Sequence, residues 1–183
     1  MRKGFAALGV VALLAMSGCN EKDDAPAALP PVTVAEVPSA SAGGACILWD
    51  WAFIQEKIGV RFSIAASDQV DDTSTCVVQT ADSSWPDLSL SVVEQTKADA
   101  KVFLAERMPK KAVKLKGLGK AGYRLNSAAG GGHGPSVEIG WLSEAEQLQT
   151  LKFTFAKGAS RASVTQMNSE LLDLAKAMDT TDG

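Results

Sequence analysis

The chain has 183 residues, 46% of them hydrophobic, and its 18 Lys and Arg residues face 21 Asp and Glu residues. This length suits a single domain. The formal net charge of −3 argues against a nucleic-acid partner, because phosphate binding depends on clustered cations. The one cationic cluster in the sequence is interpreted as a solvated rim. It comprises Lys110, Lys111, Lys114, Lys116 and Lys120.

The N-terminal residues have the pattern of a secretory signal. Arg2 and Lys3 precede an uncharged, mostly apolar run over residues 4–16. That run is too short for a membrane-spanning helix, which needs about 20 apolar residues. The residues at its end, Met16-Ser17-Gly18-Cys19, resemble the lipobox of bacterial lipoproteins. The resemblance implies cleavage just before Cys19 and attachment of a diacylglycerol to its sulfur.

Lipidation of Cys19 would determine where the mature protein lies. Two acyl chains, such as palmitate, are enough for stable anchoring. We therefore expect the mature chain to begin at Cys19 on the extracytoplasmic side of the cell membrane. Loss of residues 1–18 removes Arg2 and Lys3 and no acidic residue, which leaves a net charge of −5. An unmodified secreted protein with an incidental thiol is the alternative.

Residues 19–44 are predicted to form a disordered tether. They contain Pro26, Pro30, Pro31 and Pro38 among many Ala, Ser and Val residues, and almost no large side chains. Such a composition cannot bury enough apolar surface to offset the entropy lost on ordering. We predict a single globular domain over residues 45–179.

Two cysteines, Cys46 and Cys76, are left once Cys19 carries lipid. An even remainder in an exported domain predicts one disulfide. A redox-active pair is the alternative, but such pairs usually have the short Cys-X-X-Cys spacing. The sequence therefore favours a structural bridge.

The first predicted helix begins at about Cys46. Ile47, Trp51, Ile54 and Ile58 recur at helical spacing, and Gly59 is suited to a C-terminal cap. Two further aromatic residues, Trp49 and Phe53, are four apart and would lie together on the opposite side of this helix.

Strands and turns dominate the middle of the chain. Residues 76–81 and 88–93 are predicted to pair as a hairpin, with a turn over residues 82–87. A capping box at residues 96–99 predicts a second helix that ends by Pro109. Shorter strands are expected over residues 112–116, 123–125 and 137–142.

The last two elements have clear periodicity. Leu151, Phe153 and Phe155 line one face of a final strand. An amphipathic helix follows, with apolar positions at Val164, Met167, Leu171, Leu174 and Met178. This order of elements predicts an α+β fold, an antiparallel sheet covered by helices in the manner of an α/β/α sandwich, with one disulfide.

Several of these features together resemble a known family. They are the lipobox at residues 16–19, the tether, Cys46 in the first helix, Cys76 in the first strand, and the segment Val-Lys-Leu-Lys-Gly-Leu-Gly-Lys-Ala at residues 113–121. This combination resembles the small actinobacterial envelope lipoproteins of unknown function. The resemblance implies a PsbP-like α/β/α sandwich with an antiparallel sheet, and it supplies no catalytic residues.

No cofactor, metal or catalytic site is predicted. His133 is the single histidine and lies in a glycine-rich loop, which does not preorganise a base. Asp68, Asp71 and Asp72 do not match the ligand spacing of a calcium loop and are interpreted as a solvated acidic loop. A glycosidase would need two paired carboxylates. The sequence does not bring together the available ones, Glu94, Glu138 and Glu144.

Aromatic side chains are the candidate binding residues. Trp49 and Phe53 would make the first helix apolar on both sides, so that it is either sandwiched in the core or presents a face to a partner. Trp85, in the predicted hairpin turn, is the third candidate, because an exposed Trp often anchors binding.

Three functions are compatible with the sequence. The first is a non-catalytic, lipid-anchored lipoprotein that binds a protein or an apolar ligand. The second is a regulatory or inhibitory subunit of an envelope machine, such as a sensor kinase or a secretion system. Its contact surface would be the charged outer face of the last helix, with Lys152 and Lys157 nearby. A hydrolase has the least support.

Overall fold

A computed structural model describes residues 37–94 and 97–179. The predicted signal peptide, Cys19, the tether as far as residue 36, and Thr96 lie outside the described residues. Within the described ranges, no helix combines the length and the apolar character that a membrane span requires.

Seven strands and three helices make up the described part of the chain. The strands are β1 (Ile64–Val70), β2 (Thr73–Thr80), β3 (Ser83–Val93), β4 (Val113–Leu115), β5 (Ala121–Ser127), β6 (Ser136–Leu142) and β7 (Leu148–Thr154). The helices are α1 (Trp51–Ile58), α2 (Ala100–Val102) and α3 (Arg161–Asp179). Two 3₁₀ segments (Ser39–Ala42 and Gly44–Leu48) precede α1, and a π-helical turn (Phe103–Arg107) continues α2.

All seven strands form one antiparallel sheet, in the order β1-β2-β3-β7-β6-β5-β4. The strands form two meanders, β1-β2-β3 and β4-β5-β6-β7, which meet where β3 pairs with β7. Hairpin connections of this kind are what antiparallel strands permit. The predicted α+β class, with an antiparallel sheet and helices packed on it, is confirmed.

One face of the sheet, which we call the helix-covered face, carries the main core. Its apolar side chains alternate along the strands and meet in register, as where Leu90 pairs with Leu151 and Leu151 with Ile139. The side chains of α1 and α3 belong to the same core cluster. The strand residues of this face in the cluster are Cys76, Val78, Leu88, Leu90, Val92, Val137, Ile139, Trp141, Leu151 and Phe153.

The amphipathic helix α3 supplies much of this covering layer. Ser160 begins it, because its hydroxyl accepts a hydrogen bond from the Ser163 amide at 3.0 Å. Four residues predicted to face the core are buried, as their spacing requires. They are Met167, Leu171, Leu174 and Met178.

The predicted disulfide joins Cys46 to Cys76. It ties the 3₁₀ segment Gly44–Leu48 to β2, and both cysteines are completely buried. The two residues are 30 positions apart, so in the chain-entropy model the bridge stabilises the fold by about 3–4 kcal/mol.

The folded unit starts earlier than predicted, and α1 starts later. Ser39 is buried, and its hydroxyl donates to the Trp49 carbonyl, so residues 37–44 belong to the domain and not to a tether. Asp50 is the N-cap of α1, since its carboxylate accepts a hydrogen bond from the Phe53 amide at 3.1 Å. Gly59 ends this helix in the left-handed conformation, as expected.

One strand was not predicted and two local predictions fail, for reasons of pairing and capping. Strand β1 was not predicted, because its sequence lacks apolar alternation, yet it pairs with β2 over seven residues. The predicted turn at residues 82–87 mostly belongs to β3, whose pairing with β2 extends to Ser83. Asp99 is itself the N-cap of α2, with its carboxylate 2.8 Å from the Val102 amide, instead of the last residue of a capping box over residues 96–99.

Candidate binding site on the open face of the sheet

The face opposite the helix-covered face is polar at its centre. Registered pairing brings side chains from β3, β7 and β6 together there, as where Lys152 lies between Ser89 and Glu138. All of these side chains are partly exposed, neither buried in a core nor fully solvated. We call this group the polar patch. It consists of Asp87, Ser89, Ser91, Glu138, Thr150 and Lys152.

A tyrosine closes one side of the polar patch. Tyr123 on β5 lies opposite Gly140 on β6, and its hydroxyl donates to Glu138 at 3.0 Å. A Cβ at Gly140 would lie 2.4 Å from the tyrosine ring, so glycine is the residue that lets the ring cross β6. The other side of the ring stacks on Phe103 of the π-helical turn, with centroids 5.9 Å apart.

Burial disfavours ionisation of the Tyr123 phenol. It raises the pKa of Tyr123 well above the usual range, and the charge of Glu138 adds to the effect. Tyr123 therefore serves as a hydrogen-bond donor that orients the Glu138 carboxylate.

Asp87 is the second perturbed group of the site. Partial burial raises the pKa of its carboxyl group. Hydrogen bonds from Thr154 and the charges of Lys152 and His133 lower this pKa, but by less than burial raises it. One of its oxygens is buried and accepts no hydrogen bond from the residues that the structure describes. A half-buried carboxyl group of raised pKa is a feature of functional sites.

Trp85 and His133 lie beside Asp87. The two rings contact each other with centroids 5.0 Å apart and an interplanar angle of 51°. The loop that carries His133 is held close to the sheet, because the Gly134 amide donates to the Phe155 carbonyl at 2.8 Å. A Cβ at Gly134 would come within 2.2 Å of the Ala156 carbonyl oxygen, so only glycine permits this approach. His133 lies in a loop, as predicted, but it is partly buried against Trp85 and not fully exposed.

The three candidate aromatic residues do not form one site. Trp49 is not on α1 but in the extended residue after a 3₁₀ segment, and it is 2% exposed in the main core. The prediction that it shares a helical face with Phe53 is therefore wrong. Phe53 is partly exposed on α1, with the Lys57 ammonium 5.8 Å from its ring centroid. Trp85 is at the start of β3, beside the polar patch.

The remaining candidate residues are dispersed. Asp71 and Asp72 form the β1–β2 turn, while Asp68 is within β1. Glu138 is in the middle of β6, whereas Glu144 is in the turn after that strand and Glu94 follows β3. Within the described ranges, no group of three or more His, Cys, Asp or Glu side chains is arranged to hold a metal ion.

Lys152 is not where the regulatory hypothesis needs it. It alternates with Leu151 and Phe153, which face α3, so its own side chain points to the opposite side of the sheet. The outer face of α3 and Lys152 therefore belong to different surfaces. The polar patch was missed because its members come from strands far apart in sequence.

Comparisons with protein-family models, curated proteins and solved structures find no match to this chain. Taken alone, the polar patch offers hydroxyl groups, two carboxyl groups and one ammonium group on a sheet surface. Such a surface can donate and accept hydrogen bonds and form ion pairs with a polar partner.

Proposed function

We propose that this chain is a lipid-anchored extracytoplasmic lipoprotein whose polar patch binds a protein partner in the cell envelope. The observation that carries the binding role is the contrast between the two faces of one sheet. α1 and α3 pack on the helix-covered face, while the polar patch on the opposite face stays partly exposed. The proposal places the chain with the small actinobacterial envelope lipoproteins that it resembles.

Two features support the location. Residues 1–18 have the pattern of a cleaved signal, and Cys19 occupies the position that lipoproteins acylate. The Cys46–Cys76 disulfide also fits an oxidising compartment outside the cytoplasm.

The chemistry of the patch favours a protein over an apolar ligand. Asp87, Glu138 and Lys152 carry charges of both signs, and an apolar molecule would remove those charges from water without offering them a hydrogen bond. A protein surface can supply complementary charges and hydrogen bonds across a similar area. Trp85 at the border of the patch adds an aromatic side chain of a kind that is enriched among energetically important interface residues.

Binding fits the patch better than catalysis does. The Tyr123 hydroxyl already donates to Glu138, and its raised pKa makes it a poor nucleophile or base. The Nδ1 atom of His133 lies 2.6 Å from the Gly134 carbonyl oxygen, so that contact occupies one ring nitrogen.

The lipid anchor is tested by labelling cells with radioactive palmitate. We expect the wild-type chain to incorporate label and to fractionate with membranes. Cys19→Ala should lose the label, while the neighbouring Asn20→Ala control keeps it. A wild-type chain without label would disprove the anchoring.

The binding face is tested by photo-crosslinking in cells. A photoreactive amino acid replaces Ser91 in the polar patch or, as a matched control, Ser169 on the exposed side of α3. We expect a discrete crosslinked envelope protein from position 91 only, and we expect Lys152→Glu in the same chain to abolish it. Equal crosslinking from both positions would disprove binding at the patch.

The regulatory hypothesis is a special case of this proposal. If the protein crosslinked from position 91 is a sensor kinase or a secretion component, the lipoprotein is an accessory subunit of that machine. Its contact surface would then be the polar patch and not the outer face of α3.

A further inference from the structure

The two edges of the sheet differ in length and charge. β1 is seven residues long and pairs with β2 without any register shift, while β4 at the other edge is three residues long. β4 contains Lys114 and follows Lys110 and Lys111, charges of the kind that discourage another strand from pairing.

β1 lacks the short length and the lysines that protect β4, although the Ser67 hydroxyl at its centre donates a hydrogen bond to the Ala42 carbonyl of the preceding 3₁₀ segment. It contains no lysine or proline, its single charge is Asp68, and its pairing with β2 has no bulge. Two exposed apolar side chains, Ile64 (48%) and Val70 (61%), stand at its two ends. A long, regular edge with a single charge is a template for pairing with another strand.

We propose that β1 pairs antiparallel with β1 of a second copy of this chain, about a two-fold axis at Ser67. The two seven-stranded sheets then continue into one another. A two-fold axis requires the surface to be complementary to itself, and the β1 sequence meets that requirement.

The register places Ile64 of each copy opposite Val70 of the other. Ile64 and Val70 are an even number of positions apart, so their side chains point to the same face of the sheet and cover each other across the interface. Their exposed apolar area, unexplained in the monomer, becomes buried at both ends of the interface.

Charge also selects this register. With the axis at Ser67, Asp68 lies opposite Ala66 of the other copy, and the two aspartates are not paired directly. An axis at Asp68 would set the two carboxylates directly against each other, which is destabilising. An axis at Ala66 would place Ile64 opposite Asp68 and leave Val70 unpaired.

The mature chain, residues 19–183 with Cys19→Ala, lacks both the apolar signal and the lipid and is the sample for the first experiment. Analytical ultracentrifugation from micromolar to millimolar concentration should show a reversible monomer–dimer equilibrium. Val70→Lys should weaken it at least tenfold, because a lysine replaces the apolar partner of Ile64. Val113→Lys is the matched control on β4, since Val113 is 58% exposed, and it should change nothing.

Ala66 tests the register itself. Ala66→Lys would place a lysine opposite Asp68 of the other copy twice, and we expect the dimer to tighten by about 2- to 30-fold. Ala66→Asp would create two carboxylate pairs and should weaken it by a similar factor. Circular dichroism checks that each variant is folded.

Two outcomes would overturn the inference. One is a Cys19→Ala chain with an unaltered β1 that stays monomeric at every concentration, which would show that β1 does not pair with itself. The other is a dimer that Ala66→Lys and Ala66→Asp affect in the same direction, which would place its interface away from this register. Neither outcome bears on the polar patch, which the crosslinking from Ser91 tests separately.

Discussion

The two faces of the sheet use the same strands for different purposes. On β7, Leu151 and Phe153 enter the core beneath the helices, while Thr150 and Lys152 between them form part of the polar patch. Packing therefore determines one set of positions, and hydrogen bonding determines the other. Substitutions at neighbouring positions of one strand should therefore differ sharply in how much they lower the free energy of unfolding.

The largest effect is expected on the helix-covered face. Trp141 is completely buried, and Trp141→Ala removes its contacts and leaves a cavity. We expect the free energy of unfolding in urea to fall by about 3–5 kcal/mol. A loss below about 1 kcal/mol would show that the cluster assigned to this face is not the core.

Gly140→Ala tests how Tyr123 is packed on the face opposite the helix-covered face. The added methyl group would overlap the tyrosine ring, so we expect a loss of about 1–3 kcal/mol from displacement of that ring. Gly122→Ala is the control on β5, because its Cβ would meet Leu118 at an ordinary 3.4 Å. Similar losses in both variants would contradict the role of Gly140.

Asp87 should make stability depend on pH. Burial raises the pKa of Asp87 in the folded state above 3.8, so the folded state binds the proton more tightly than the unfolded state does. The stability that this proton contributes is fully present only below the unfolded pKa. It is lost as the pH rises through the folded pKa. Asp87→Asn should therefore be more stable than wild type at neutral pH, with a difference that shrinks on acidification below 3.8. If wild type and Asp87→Asn had equal urea midpoints both at neutral pH and below pH 3.8, the raised pKa of Asp87 would be contradicted.

The smallest change in stability is expected in the polar patch itself. Lys152→Ala removes a partly exposed charge, so the free energy of unfolding should change by no more than about 0.5 kcal/mol. The same variant should lose most of the crosslinking from position 91. Ser89→Ala, beside it on β3, provides a comparison without a change of charge. A destabilisation of several kcal/mol would mean that Lys152 is structural.

Local sequence patterns predicted the elements that carry their own signal. The spacing of Met167, Leu171, Leu174 and Met178 identifies α3, because one apolar stripe suffices to predict an amphipathic helix. Cysteine counting predicted the Cys46–Cys76 bridge. β1 carries no such signal in its own residues, and only its pairing with β2 makes it a strand.

Local competition explains the failed predictions around the first helix. Asp50 caps α1 and ends the preceding segment, so Trp49 enters the core from an extended residue and not from a helical face. The aromatic spacing of Trp49 and Phe53 is the same in either arrangement. Position in the fold, and not spacing, separated a fully buried residue from a partly exposed one.

The sequence by itself determined the α+β class, the disulfide and the amphipathic last helix, because each depends on residues close together or on a count. Only the tertiary structure decided which strands are neighbours and which face the helices cover. Ser89 and Lys152 are 63 positions apart, and the register between β3 and β7 brings them together. Packing of the core beneath α3 fixes that register, and the polar patch follows from it.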